Sequence, residues 1–153
     1  VSGPIDRVKD NLNYNSGVYL LQLKLSGRYR LKIGALGYYF FPAGYYYYCG
    51  SAQKNMSARL ERHLSEDKKL YWHIDFLLCE AEIEKICCWE EKSDFECRLA
   101  EKISSLAESE IIVDNFGASD CSCESHLFYF SFSPNLNLES GLITGKPGDY
   151  YIG

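Results

Sequence analysis

An abrupt change of hydrophobic period at Asn55 limits what this chain can fold into. Before it lie two runs of strand character, residues 17–25 (GVYLLQLKL) and residues 45–49 (YYYYC). After it, Met56, Leu60 and Leu64 recur at helical spacing. A strand repeats every two residues and a helix every 3.6, so the order reads strand, strand, helix. Gly17-Val18-Tyr19 opens the first strand and Tyr48-Cys49-Gly50-Ser51-Ala52 closes the second, while the helix carries Arg59, Arg62 and His63. If the two strands pair, two phenols, guanidinium groups and an imidazole meet at one end of the sheet.

The rest of the chain supplies a small domain around that nucleus. Residues 1–15 are polar and read as a flexible leader, residues 16–133 as one domain, and residues 134–153 as a tail with little structure. Ser26-Gly27 predicts a turn, and residues 28–33 alternate Tyr29, Leu31 and Ile33 with Arg28, Arg30 and Lys32, as in a half-buried hairpin arm with a basic outer face. Asn55 or Ser57 is placed to cap the first helix, which is expected to end near Ser65. A short helix is predicted over residues 72–79, a strand over 81–89, and an aromatic strand over 126–132. Between them Phe95, Leu99, Ala100, Ile103 and Leu106 predict a helix, with Ser93 and Glu96 as a capping box. The fold class is α/β (α+β): a small, mostly antiparallel sheet flanked by helices.

Composition narrows the function classes. At 153 residues with 46% hydrophobic residues, the chain suits one globular domain. No apolar run approaches the ~20 residues of a membrane span, and no signal peptide is visible, so the expectation is a cytoplasmic protein without a membrane partner. Seven cysteines, an odd number at irregular spacing, read as reduced thiols rather than a disulfide framework. The net charge of −5 conceals an asymmetry: residues 1–73 carry eleven Lys/Arg and five Asp/Glu, and residues 74–153 carry five and sixteen. The basic half is the one with the tyrosine motifs, which leaves room for a nucleic-acid partner because phosphate attraction follows local potential.

Phosphodiester hydrolysis needs a base for water, a cation for the charge that develops on the phosphate, and usually a divalent metal. Tyr19 or Tyr48 is the candidate base, although a phenol with a pKa near ~10 needs a cationic setting to act at neutral pH. Arg59 supplies that setting and a planar fork for the transition state. Arg62 and His63 follow at i+3 and i+4 and share its helix face. Against this, thirteen tyrosines make an ordinary packing role common, and an Arg-x-x-Arg-His face is usually solvated.

In their order and spacing, Gly17-Val18-Tyr19, Tyr48-Cys49-Gly50, Arg59 and His63 resemble the GIY-YIG nuclease superfamily, with Cys49 where Ile or Val is usual. The resemblance is closer to a poorly characterised branch found alone or joined to endonuclease III-like repair proteins. It runs through Phe41-Pro42-Ala43-Gly44, Trp72-His73-Ile74-Asp75, Glu96-Cys97, residues 117–123 and Ser125-His126-Leu127-Phe128-Tyr129. It implies a metal-dependent DNA endonuclease, with Tyr19, Tyr48, Arg59, His63 and His73 catalytic. Glu96 would hold Mg²⁺ or Mn²⁺, and Gly50, Ser51, Arg62 and His126 would contact substrate. DNA and a repair protein are the implied partners. A noncatalytic module that binds nucleic acid or a repair partner is the alternative of a different class. The C-terminal Tyr151-Ile152-Gly153 has no Arg/His helix after it and is assigned no function.

Cys121-x-Cys123-x-x-His126 offers three soft ligands where zinc takes four, and its spacing is tighter than the usual pair, so a remote cysteine would have to complete a zinc-stabilised domain. The other reading is a tight loop whose Asp120 or His126 approaches the catalytic face.

Overall fold

The structure, a computed structural model, describes residues 14–119, 121–134, 136 and 150–152. Its centre is β1 (Gly17–Leu25), which pairs antiparallel on one side with β4 (Gly44–Ala52) and on the other with β5 (Glu82–Trp89). With β6 (Leu127–Phe130) beside β4 and β7 (Tyr150–Ile152) beside β5, the sheet order is β6-β4-β1-β5-β7. All of its pairings are antiparallel.

The apolar opening of β1 follows from its place in the middle of this sheet. Both of its faces are covered, so alternation between apolar and polar residues is not required. Tyr19, Leu21, Leu23 and Leu25 enter one core and Val18 and Leu20 the other. The tyrosine run of β4 divides in the same way, Tyr46 and Tyr48 to the first face and Tyr47 and Cys49 to the second. Two short helices, α1 (Met56–Leu64) and α2 (His73–Leu77), cover the first face, where Met56, Leu60, Ile74 and Leu77 are fully buried. The longer α3 (Asp94–Ser104) covers the second with Phe95, Leu99, Ala100 and Ile103. Burying each of its larger side chains stabilises the fold by about 1.5–3 kcal/mol, so α3 is held mainly by packing.

Several local expectations change. Residues 28–33 do not fold back on β1: β2 (Tyr29–Lys32) pairs with β3 (Tyr38–Phe41) in a separate two-stranded ribbon, across a 3₁₀ turn at Gly34–Leu36. β1 cannot take β2 because β4 and β5 already fill both its edges. Asn55 precedes α1 in the left-handed region, with φ 53°, and its side chain caps nothing; Ser57 lies inside the helix. Ser93 likewise makes no side-chain cap bond, so the capping box with Glu96 does not form. The tail is not structureless throughout, since Tyr150–Ile152 returns as edge strand β7 along residues 85–87. Most of the expected leader lies outside the described residues, as do Asp120 and Gly153.

Candidate active site

Antiparallel pairing of β1 with β4 sets Tyr19 opposite Gly50 and Leu21 opposite Tyr48, which puts both phenols on one face with ring centroids 6.4 Å apart. Gly50 has no room for a side chain: a Cβ there would stand 2.5 Å from Cζ of Tyr19 and 2.6 Å from its hydroxyl. Gly17 is constrained in the same way by the Trp89 carbonyl, 2.2 Å from where its Cβ would be. The glycines of both motifs are therefore close-approach positions, and that at Gly50 makes the space occupied by the Tyr19 ring.

The Tyr19 hydroxyl lies 2.8 Å from Nε2 of His63, which is buried behind it on α1. Burial, helped by nearby Lys68, pushes the His63 pKa down to about 3, so the imidazole is neutral and Nε2 accepts from the phenol when Nδ1 carries the proton. Nδ1 itself is buried with no hydrogen-bond partner. An unsatisfied buried polar atom costs about 1–3 kcal/mol, the kind of local cost found at functional sites. Burial likewise raises both phenols, Tyr19 against the opposing pull of Arg59 and Tyr48 with the further push of Tyr19. Neither phenol is ionised at neutral pH in the ligand-free chain.

Arg59 and Arg62, one helical turn apart, have different surroundings. Arg59 donates from Nη1 to the Ser51 carbonyl at 2.9 Å and lies 4.5 Å from the Trp72 ring centroid. It lines the cleft beside Tyr19 and is held as a rigid fork. Arg62 lies 4.4 Å from the same ring, but its guanidinium forks onto Asp75 at 2.8 and 2.9 Å and reaches the Lys69 carbonyl. Asp75 is fully buried and also accepts from the Tyr71 and Trp72 amides. Burial pushes its carboxyl up, but Arg62 and the two amides more than offset that and hold it low. Arg62 thus braces α2 against α1 and does not line the cleft.

The facing wall comes from α2, α3 and the loop before β6. His73 accepts the Gly117 amide at Nδ1, 2.9 Å, which leaves the ring proton on Nε2. Glu96, freed from any capping role, puts Oε2 2.5 Å from Nδ1 of buried His126. Burial alone would lower the His126 pKa; the Glu96 carboxylate more than offsets it and raises it. On the far side of that ring, Nε2 is 3.5 Å from Sγ of Cys121 and 3.9 Å from Sγ of Cys97. Cys97, Cys121, Cys123 and His126 together place four ligand atoms within 4.8 Å of one another, a group able to hold a metal ion. All seven cysteines are free.

Between the two walls is a cleft of about 730 Å³ whose lining includes Tyr19, Tyr48, Gly50, Ser51, Arg59, His73, Glu96 and His126. Of the candidate residues, His63 stands one layer behind and Arg62 to the side. Trp72, Asp75 and Cys97 are the residues that sequence reasoning overlooked as parts of the site. Trp72 and Asp75 carried a signal, since both lie in the Trp72-His73-Ile74-Asp75 stretch, but the partners of a buried carboxylate are not readable from spacing. No described helix is long and apolar enough to cross a membrane.

No curated protein and no solved structure matches this chain. A family profile does match, over residues 18–143, a span that takes in both tyrosine strands, the Arg/His helix and the cysteine–histidine loop. The chain belongs to the family described as domain of unknown function DUF123, a GIY-YIG-like family.

Proposed function

We propose that the domain is a metal-dependent endonuclease of the GIY-YIG type that hydrolyses DNA phosphodiester bonds, with a place in repair. The observation that carries this reading is one cleft lined by Tyr19, Tyr48, Arg59, His73 and Glu96, with His63 in contact with the Tyr19 hydroxyl. In it Arg59, oriented by Ser51 and Trp72, takes a non-bridging phosphate oxygen and meets the charge of the transition state. The Tyr19 hydroxyl, held by its hydrogen bond to Nε2 of His63, orients the attacking water with its free lone pairs. His73 presents Nε2–H as a further donor.

The cleft also suits a hard cation. Glu96 and Asp94 line it together, one oxygen of Glu96 is taken by His126, and Mg²⁺ or Mn²⁺ binds through one or two carboxylates with water and phosphate completing the shell. Such a cation supplies a Lewis acid for the phosphate and lowers the pKa of bound water. That supply matters here, because burial keeps both phenols protonated without it. For the partner, the β2–β3 ribbon offers exposed Arg28, Arg30 and Lys32 beside Phe40, which is 73% exposed, a mixture suited to phosphates and bases.

The raised phenols equally favour a second reading, a noncatalytic module that uses the same cleft and ribbon to bind nucleic acid or a repair partner. Nicking of supercoiled plasmid in Mg²⁺ or Mn²⁺ separates the two. The wild type should nick, Arg59→Ala should be slower by ~100-fold or more, and Glu96→Gln should lose most of the metal-dependent rate. A wild type inert in both metals defeats the endonuclease and leaves the binding module.

A further inference from the structure

Three cysteine sulfurs and one imidazole nitrogen converge beside the cleft from distant parts of the chain: Cys97 on α3, Cys121 and Cys123 on the loop after Gly117, and His126 at the entry to β6. A tetrahedral zinc ion with ordinary bond lengths sets its ligands apart by ~3.8 Å for two sulfurs and ~3.5 Å for sulfur and nitrogen. The distances found, 3.5 and 3.9 Å from Nε2 to two sulfurs and none of the four atoms more than 4.8 Å from another, need only small side-chain adjustments to meet that geometry.

A second observation is independent of the sulfurs. His126 Nδ1 faces Oε2 of Glu96 at 2.5 Å, an ion-pair contact that favours a proton on Nδ1, while Nε2 is turned toward the thiols. A carboxylate behind an imidazole is how a metal-ligating histidine is usually oriented and made more basic. The loop itself gives a reason for a cross-link. Its described residues between Gly117 and Ser125 contain no helix or strand, and the backbone bonds that tie them down include Ala118 to Asn115, Asn115 to Glu124 and His126 to Phe116.

We propose that Cys97, Cys121, Cys123 and Nε2 of His126 form a closed zinc site that fastens this loop to α3, with Glu96 as the residue that positions His126. The three cysteines bind as thiolates, their protons leaving to solvent. Four protein ligands complete the tetrahedron, so the ion takes no substrate. It is structural, and distinct from any Mg²⁺ or Mn²⁺ in the cleft. Soft sulfur ligands select zinc over those hard cations. Its effect on the cleft is indirect: the fastened loop carries Gly117, whose amide holds His73, and the ion fixes the ring that engages Glu96.

The test is metal content and coordination of the full chain, which does not depend on nuclease activity. Purified without chelator, the wild type should carry one zinc per chain by elemental analysis. Cys97→Ser and Cys121→Ser should lose it, and Cys79→Ser, an exposed cysteine outside the cluster, should keep it. Co²⁺ in place of zinc should give the intense visible bands of a tetrahedral ion and thiolate charge-transfer absorption. Glu96→Ala should weaken zinc binding ~10–100-fold without abolishing it. If the cysteine variants do not fold, titration of Zn²⁺ into chelator-stripped wild type decides, because binding should protect three of the seven thiols from modification. Absence of zinc binding in that titration, zinc retained by a folded Cys97→Ser, or an octahedral cobalt spectrum overturns the proposal.

Discussion

Replacing His63 by glutamine should remove much of the pH dependence of stability between pH 7.5 and 5. In the folded chain burial, aided by Lys68, keeps the imidazole neutral down to a pKa of about 3. In the unfolded chain the same group titrates near ~6.5. Between the two values only the unfolded chain takes up the proton, so this contribution is complete above pH ~6.5 and is lost as the pH falls. At pH 5 the unfolded imidazole lies 1.5 units below its pKa, which at 1.36 kcal/mol per unit costs the fold about 2 kcal/mol. For a chain of this size that is a fall in Tm of ~4–8 °C relative to pH 7.5. Glutamine does not titrate, yet places a polar atom near Nε2 for the Tyr19 hydroxyl. The variant will be less stable at every pH through lost packing, and its slope is what matters. His73 shares the sign of His63, His126 has the opposite sign, and Asp75, a depressed carboxyl, contributes stability that is whole above pH ~4 and is lost only below it as the carboxyl protonates. Taking the difference between variant and wild type at each pH cancels all three. The assay is thermal and urea unfolding in steps of half a pH unit. Parallel curves, or an NMR titration of His63 with a midpoint near 6.5, would refute the buried neutral imidazole.

Three further outcomes are expected. Arg62→Ala should cost about 2–3 kcal/mol in urea unfolding, because it strands the buried Asp75 carboxylate; the figure is below that for a wholly buried pair since the Arg62 side chain is 28% exposed. A loss under 0.5 kcal/mol would mean the amides of Tyr71 and Trp72 suffice for Asp75. Gly50→Ala should displace the Tyr19 ring and destabilise the sheet by about 1–3 kcal/mol, with near-UV circular dichroism reporting the tyrosine shift; an unchanged spectrum and stability would deny the close approach. If three side chains of the β2–β3 ribbon contact phosphates, affinity for a labelled duplex should fall ~40-fold between 50 and 200 mM salt, and Arg30→Ala should flatten the slope by about one unit. Affinity indifferent to salt would exclude binding led by phosphates.

The sequence by itself determined the central elements and the pairing of the two phenols. Periodicity is a local property, so residues 17–25 and Met56, Leu60 and Leu64 declare strand and helix without reference to the rest of the chain. Once β1 and β4 are antiparallel neighbours, Tyr19 and Tyr48 share a face by the two-residue repeat, and Arg59 follows because only three residues separate α1 from the end of β4. What the chain could not declare locally are contacts between residues far apart in it. The β2–β3 ribbon stands apart because β5, nearly sixty residues later, takes the edge of β1. The tail carries no periodic signal, and β7 exists because β5 offers it an edge. Glu96 read as a capping residue from its spacing to Ser93, but the packing of α3 against β6 presents it with His126 instead. By spacing alone Cys121-x-Cys123-x-x-His126 was one ligand short; Cys97, on a helix brought alongside by burial of Phe95 and Leu99, completes the set. Local chemistry chose the elements, and burial of the two sheet faces decided which side chains meet.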